Sequence, residues 1–195
     1  MTLITKKNKK ISVIIPVYNS FKRIPAILHA LNEQKYLPYE VIIVDSGDDG
    51  KIKKYIANKK FNFILIYKNT TKAYPGKARN EGIKIAKSEY YGFIDSRTIP
   101  DIFWIQRSFL NLSNKKIKCS IGHVKVKPSN LFQRILRASS SGIENKETIV
   151  GTIIKKDLFK TTGFFIENTR AGEDIEWIYR VKKFKDNVTK RLNIN

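Results

Sequence analysis

Apolar residues recur along the chain at two different spacings, and the changes from one spacing to the other mark out its elements. Ile11-Ser-Val-Ile-Ile-Pro16 is a short β-branched run after a charged start, which predicts a buried strand that Pro16 ends. Ile24, Ile27, Leu28 and Leu31 then fall at helical spacing, predicting an amphipathic helix over about 22–34 with Pro25 in its first turn. Val41-Ile-Ile-Val-Asp45 is a second buried strand, closed by the turn residues Ser46-Gly47-Asp48-Asp49-Gly50, of which Asp48 and Asp49 read as solvated. A lysine-rich helix to about residue 58 and a third strand from Phe61 to Tyr67 follow.

The second half reads less regularly. Pro75 to Lys87 predicts a helix with a glycine-rich opening and an apolar face carrying Ala78, Ile83 and Ala86. Tyr90 to Asp95 is a strand that again ends in a carboxylate, Pro100 to Leu112 a helix, and Lys118 to Lys127 an edge strand. Residues 128–145 are ambiguous, with a short helix near Leu131–Arg137 and then a Ser/Gly loop. Thr148 to Ile154 predicts a strand and Asp174 to Lys183 a last short helix.

Strand–helix alternation over the first 95 residues or so points to βαβ units and an α/β fold with a mostly parallel central sheet flanked by helices. The length of 195 residues, with no internal repeat or linker-like stretch, predicts a single domain over 1–195 with a basic tail at 1–10. In open sheets of this kind ligands bind beyond the carboxyl ends of the strands, which is where Pro16-Val-Tyr18-Asn19, Asp45 and Asp95 fall.

Composition changes this picture only at the margins. A hydrophobic content of 42% with 11 Phe and 9 Tyr supports a packed core rather than disorder. The one cysteine, Cys119, cannot form an internal disulfide and reads as a small buried hydrophobe, in keeping with a reducing, cytoplasmic setting. His29 and His123 carry no partner signal and read as surface or packing residues. The lysine-rich start lacks the apolar core of a signal peptide, and no apolar run reaches the ~20 residues that span a bilayer. The net charge of +21 is spread along the chain among Ile and Asn, as a codon-biased, AT-rich genome would produce. Its best functional reading is peripheral contact with an anionic membrane at the inner face; nucleic-acid binding is not expected, since no aromatic-basic module signature appears.

Five strings in order add a resemblance. Ile14-Ile-Pro-Val-Tyr-Asn19, Glu40-Val-Ile-Ile-Val-Asp-Ser-Gly47, Gly76-Lys-Ala-Arg-Asn-Glu-Gly82, Phe93-Ile-Asp-Ser-Arg-Thr-Ile-Pro100 and Ala171-Gly-Glu-Asp-Ile-Glu-Trp177 together resemble the family 2 glycosyltransferases over about residues 11–183. The resemblance implies the GT-A nucleotide-diphospho-sugar transferase fold, a nucleotide-sugar donor, a UDP-sugar in the first instance, and a glycan or lipid-linked acceptor. By its implication Pro16, Tyr18, Asn19 and Asp45 hold the nucleoside, although Asp45 alone reads equally well as a turn residue capping its own loop. Gly76 and Arg79 open a helix whose N-terminus favours anions; Arg79 would hold the diphosphate or an acidic loop, or else form a structural salt bridge.

Asp95 stands at the first position of the family's Asp-x-Asp metal motif, but Arg97 stands at the third. A guanidinium cannot ligate Mn²⁺ or Mg²⁺, so the motif is broken; Asp95 is left as the one candidate ligand, or else contacts the ribose or the sugar with the other nucleotide-sugar residues. Arg97 then replaces the metal and pairs with the diphosphate, or marks a degenerate site, or merely pairs with Asp95; we favour the first. Asp174 corresponds to the family's general base, with Glu173 beside it and Trp177 on the acceptor or sugar side, while both acids also suit a helix N-terminus. The expected activity is inverting transfer of a sugar to a hydroxyl. Its rival is an inactive scaffold that keeps the fold, suggested by Arg97 and by the lack of a Gln-x-x-Arg-Trp stretch before Asn195. A nucleotidyltransferase ranks third, for want of its glycine-rich basic signature near the first strand.

Overall fold

A computed structural model describes residues 9–47, 50–124 and 147–184. The expected turn residues Asp48 and Asp49, the short helix at 131–137 and the end of the edge strand at 125–127 lie outside the described residues. Six strands form one sheet: β1 (Ile11–Val17), β2 (Glu40–Asp45), β3 (Ile64–Asn69), β4 (Tyr90–Phe93), β5 (Cys119–His123) and β6 (Glu147–Lys155), in the spatial order β3-β2-β1-β4-β6-β5. The first four run parallel, and β6 pairs antiparallel with both β4 and β5. The expected mostly parallel sheet and the edge position of β5 are therefore observed.

The helices are α1 (Ile24–Asn32), α2 (Lys51–Ile56), α3 (Pro75–Ile85), α4 (Trp104–Asn111), α5 (Leu158–Thr162) and α6 (Glu173–Lys183). Side chains alternate across a strand, so β1 divides its run between the two faces. Ile11, Val13, Ile15 and Val17 pack with α1, α2 and α4, whereas Ile14 joins Ala78 and Ile83 of α3, Phe159 of α5 and Trp177 and Val181 of α6. Helices cover both faces, which is why β1 and β2 read as unbroken apolar runs rather than alternating ones.

Several boundaries differ from those the sequence predicts, and one helix is new; β1 runs on through Pro16 to Val17, with Pro16 opposite Val44 in the β1–β2 register. β3 begins at Ile64 because Ile64 N–H bonds to Tyr39 O and sets the register Glu40↔Ile64. Phe61 and Phe63 instead stack on each other with ring centroids 5.1 Å apart, and Asn62 N–H is taken by Asn32 Oδ1. α4 begins at Trp104 rather than Pro100, because the Asp101 carboxylate accepts from Phe103 N–H and its carbonyl from Trp104 N–H. α5 has no counterpart in the sequence reading: five residues are too short for a periodic signal.

α3 packs against the loop after α5 at van der Waals limits. A Cβ built on Gly76 would lie 2.0 Å from the Ile166 carbonyl oxygen. The close approach the sequence assigned to a ligand at Gly76 is thus made to the protein's own backbone. Gly76→Ala is expected to lower stability by about 1–3 kcal/mol through overpacking, read as a lower urea midpoint at unchanged slope.

Candidate active site

A cleft of about 880 Å³ opens beyond the carboxyl ends of β1 and β4. Its walls come from the ends of four strands and the first turns of two helices. Pro16 lies near the end of β1, with Tyr18 and Ser20 just past it; Ser46 follows β2, and Asp95, Ser96 and Arg97 follow β4. Thr148 and Val150 of β6, Pro75 and Arg79 of α3, and Gly172, Glu173 and Asp174 at the start of α6 complete it. The structure thus brings Pro16, Tyr18, Arg79, Asp95, Arg97, Glu173 and Asp174 together, and leaves Asn19, Asp45, Gly76 and Trp177 out of the lining.

At the β1 end Tyr18 stands 65% exposed, a free aromatic face at the mouth of the cleft. Asn19 takes a left-handed conformation, φ 47°, and its side chain lies against Gly47, where an added Cβ would meet Oδ1 at 2.5 Å. It shapes the loop rather than the cavity. Asp45 lies behind the wall and is 1% exposed. Its Oδ1 accepts from Gly47 N–H and its Oδ2 from Tyr67 Oη, both at 2.9 Å, so in this structure the carboxylate caps its own loop and ties it to β3.

The α3 wall is fixed to α6 by a buried ion pair. Arg79 Nη1 donates to Glu173 Oε1 at 2.6 Å, both side chains being almost fully enclosed, and the guanidinium lies over the Phe165 ring. The next residue, Asn80, donates to Phe165 O and Glu167 Oε1 and accepts from Phe165 N–H. Arg79 is therefore a strut, the salt-bridge alternative of the sequence reading, and Glu173 is its partner rather than a free acid. Trp177, expected on the acceptor side, is fully buried: its ring packs on Phe159 and Phe165, and Nε1–H bonds to Gly163 O. Helical spacing explains the correction, since Trp177 lies one turn beyond Glu173 on the inward face of α6.

Gly172, at φ 89°, turns the chain into α6 and leaves Asp174 half-buried on the cleft wall, one residue past the strut. Its Oδ1 accepts from Ile175 N–H at 2.9 Å. Asp95 Oδ1 accepts from Arg97 N–H, also at 2.9 Å, closing a turn on which the Arg97 side chain stands exposed; Arg23 Nη1 donates to Arg97 O at 2.9 Å. Arg97 and Asp95 form no ion pair, which removes the blandest of the three readings of Arg97.

Among the described lining residues, Asp95 and Asp174 are the carboxylates outside an ion pair, a sparse set for a divalent cation. Among the described residues no group of three or more His, Cys, Asp or Glu side chains could hold one. Asp95 is the only carboxylate of its motif, and Arg97 adds a positive charge where a second ligand would be needed. His29 and His123 are exposed and do not line the cleft. Sequence reasoning missed Lys72 and Arg170, which also line it. Arg170 directly precedes the Ala171–Trp177 string, and Lys72 lies in the polar stretch before Pro75; neither position is marked by any spacing rule.

This geometry has counterparts. Residues 12–185 match glycosyl transferase family 2, and the chain belongs to that family. It is 29% identical over 185 residues to the glycosyltransferase AglE of Haloferax volcanii, across 87% of this chain and 60% of that protein. Its fold is similar to that of S. aureus TarS in complex with UDP-GlcNAc, with a TM-score of 0.66 and 23% identity over 92% of this chain and 55% of that one. It is also similar to the mannosyltransferase PcManGT from Pyrobaculum calidifontis in complex with GDP-Man and Mn²⁺, with a TM-score of 0.66 and 20% identity over 95% of this chain and 55% of that one. These are GT-A folds, as the sequence implied. The chain spans well under two thirds of the length of each of these three proteins.

Removing one member of the buried pair leaves the other charged and unsolvated. Arg79→Met is expected to cost about 3–5 kcal/mol in chemical denaturation, and Arg79→Met combined with Glu173→Leu to recover most of it.

Proposed function

We propose that the cleft binds a nucleoside-diphosphate sugar and transfers the sugar to a hydroxyl acceptor with inversion. The observation that carries this reading is the placement of Asp174 on the same cavity as Tyr18, Asp95 and Arg97. Tyr18 offers an aromatic face for a base, and Pro16 and Ser46 border it. Arg97 takes the diphosphate, whose oxygens its planar fork matches. Asp174 is the general base. It removes the acceptor O–H proton as that oxygen bonds to the anomeric carbon, and the bond from that carbon to the diphosphate oxygen breaks. The electron pair leaves with the nucleoside diphosphate, whose growing charge Arg97 meets. The strut through Glu173 holds Asp174 at the cavity, so Glu173 positions the base and does not itself touch the acceptor.

A UDP-sugar is the favoured donor, in keeping with the UDP-GlcNAc complex of TarS. The acceptor is a glycan or lipid-linked hydroxyl. With a net charge of +21, the protein is placed by this reading at an anionic membrane surface on the cytoplasmic side.

Release of nucleoside diphosphate from a panel of UDP- and GDP-sugars, with and without hydroxyl acceptors, tests the reading. Asp174→Asn is expected to lower release by about 10²–10⁴-fold while leaving donor affinity within about twofold. Tight donor binding with no turnover in any mixture would establish the inactive scaffold instead. An absence of nucleotide binding would sink both.

A further inference from the structure

Three cations reach the cleft from three different loops. Lys72 comes from the β3–α3 connection, Arg97 from the turn after β4, and Arg170 from the segment leading into α6. All three side chains are exposed, and among the described residues none of them makes an ion pair. The fourth cation of the lining, Arg79, is consumed by Glu173. Lys72, Arg97 and Arg170 are therefore set against only two carboxylates, Asp95 and Asp174, each with one oxygen already engaged by a backbone N–H.

Their backbones support the same conclusion. Lys72 takes a left-handed conformation at φ 43°, unfavourable for a lysine and of a kind that gathers at binding loops. Arg97 is held on both sides, its N–H by Asp95 and its carbonyl by Arg23. A cleft with unpaired cations on separate walls suits a ligand with several anionic oxygens spread over more than one phosphorus atom. It repels a divalent metal.

We infer that Lys72, Arg97 and Arg170 form a diphosphate clamp that takes over the charge neutralisation a divalent cation would supply. Two guanidiniums and an ammonium offset the charge of a diphosphate as a metal ion would, and the arginines add fork-shaped hydrogen bonding that a point charge lacks. The clamp rests on the nucleotide-sugar reading and extends it to two residues outside the family strings. It predicts metal-independent binding that tracks the phosphates rather than the nucleoside.

The test uses the full chain and calorimetric titration of UDP, GDP, uridine and inorganic pyrophosphate, in EDTA and with Mn²⁺. UDP or GDP is expected to bind equally well in both conditions. Arg170→Ala and Lys72→Ala should each weaken nucleoside diphosphate and pyrophosphate binding by about 10–100-fold, the range of a charge-assisted hydrogen bond, and leave uridine unaffected. Arg170→Lys should restore part of the loss. Lys60→Ala, which removes the same charge from the exposed surface, should change nothing and so separates the clamp from the general field of a basic protein. Thermal midpoints of the variants should match the parent, since the side chains are exposed.

Binding that requires Mn²⁺, or diphosphate affinity unmoved by Arg170→Ala and Lys72→Ala, overturns the clamp while leaving nucleotide-sugar transfer standing. Pyrophosphate binding lost in Arg170→Ala, with UDP and GDP no tighter than pyrophosphate, keeps the clamp and overturns the nucleotide reading. If none of the four ligands binds, both fall.

Discussion

The Arg79–Glu173 ion pair is the contact on which the geometry of the cleft depends. It spans 94 residues of sequence and joins α3, which lies between the parallel strands β3 and β4, to the first turn of α6, which follows antiparallel β6. Both helices pack on the same face of the sheet but touch each other little, and this pair and the bonds of Asn80 to the 165–167 loop are what join them directly at the cleft. Enclosure from water gives such a link its stiffness, and makes either partner without the other costly. Asp174 inherits its position from it.

The sheet needs no such device. Its register follows from β-branched strands buried on both faces, and periodicity in the sequence was enough to find β1, β2, β4 and β6 and to order the helices between them. Periodicity failed where something other than burial sets the boundary. An Asx turn at Asp101 delays α4, an aromatic stack delays β3, and α5 is shorter than any repeat that could betray it.

The site was legible to a different degree for each kind of residue. Motif strings picked out Tyr18, Asp95, Arg97 and Asp174, which stand at the strand and helix tips that line the cleft. They could not tell a side chain that faces the cavity from its neighbour that faces the core. Trp177 and Asp174 are three residues apart on one helix, and only the packing of Trp177 on Phe159 decides which of them is inside. Asp45 is a similar case: its two oxygens go to Gly47 and Tyr67, partners separated from it by 2 and 22 residues, and the second is invisible from local sequence. Lys72 and Arg170 went unnoticed because a lysine or arginine in a chain with 38 of them carries no signal until the fold shows which ones share a cavity.

The strand order carries a consequence of its own. From β1 the chain moves outward through β2 to β3, then crosses back to lay β4 on the other side of β1. The connections leaving β1 and β4 therefore diverge to opposite directions along the sheet, and a crevice must open between their tips whatever side chains stand there. The location of the cleft belongs to the winding of the chain, and its chemistry to the residues at the rim. Replacing the whole rim would alter what is held there without moving the place where it is held.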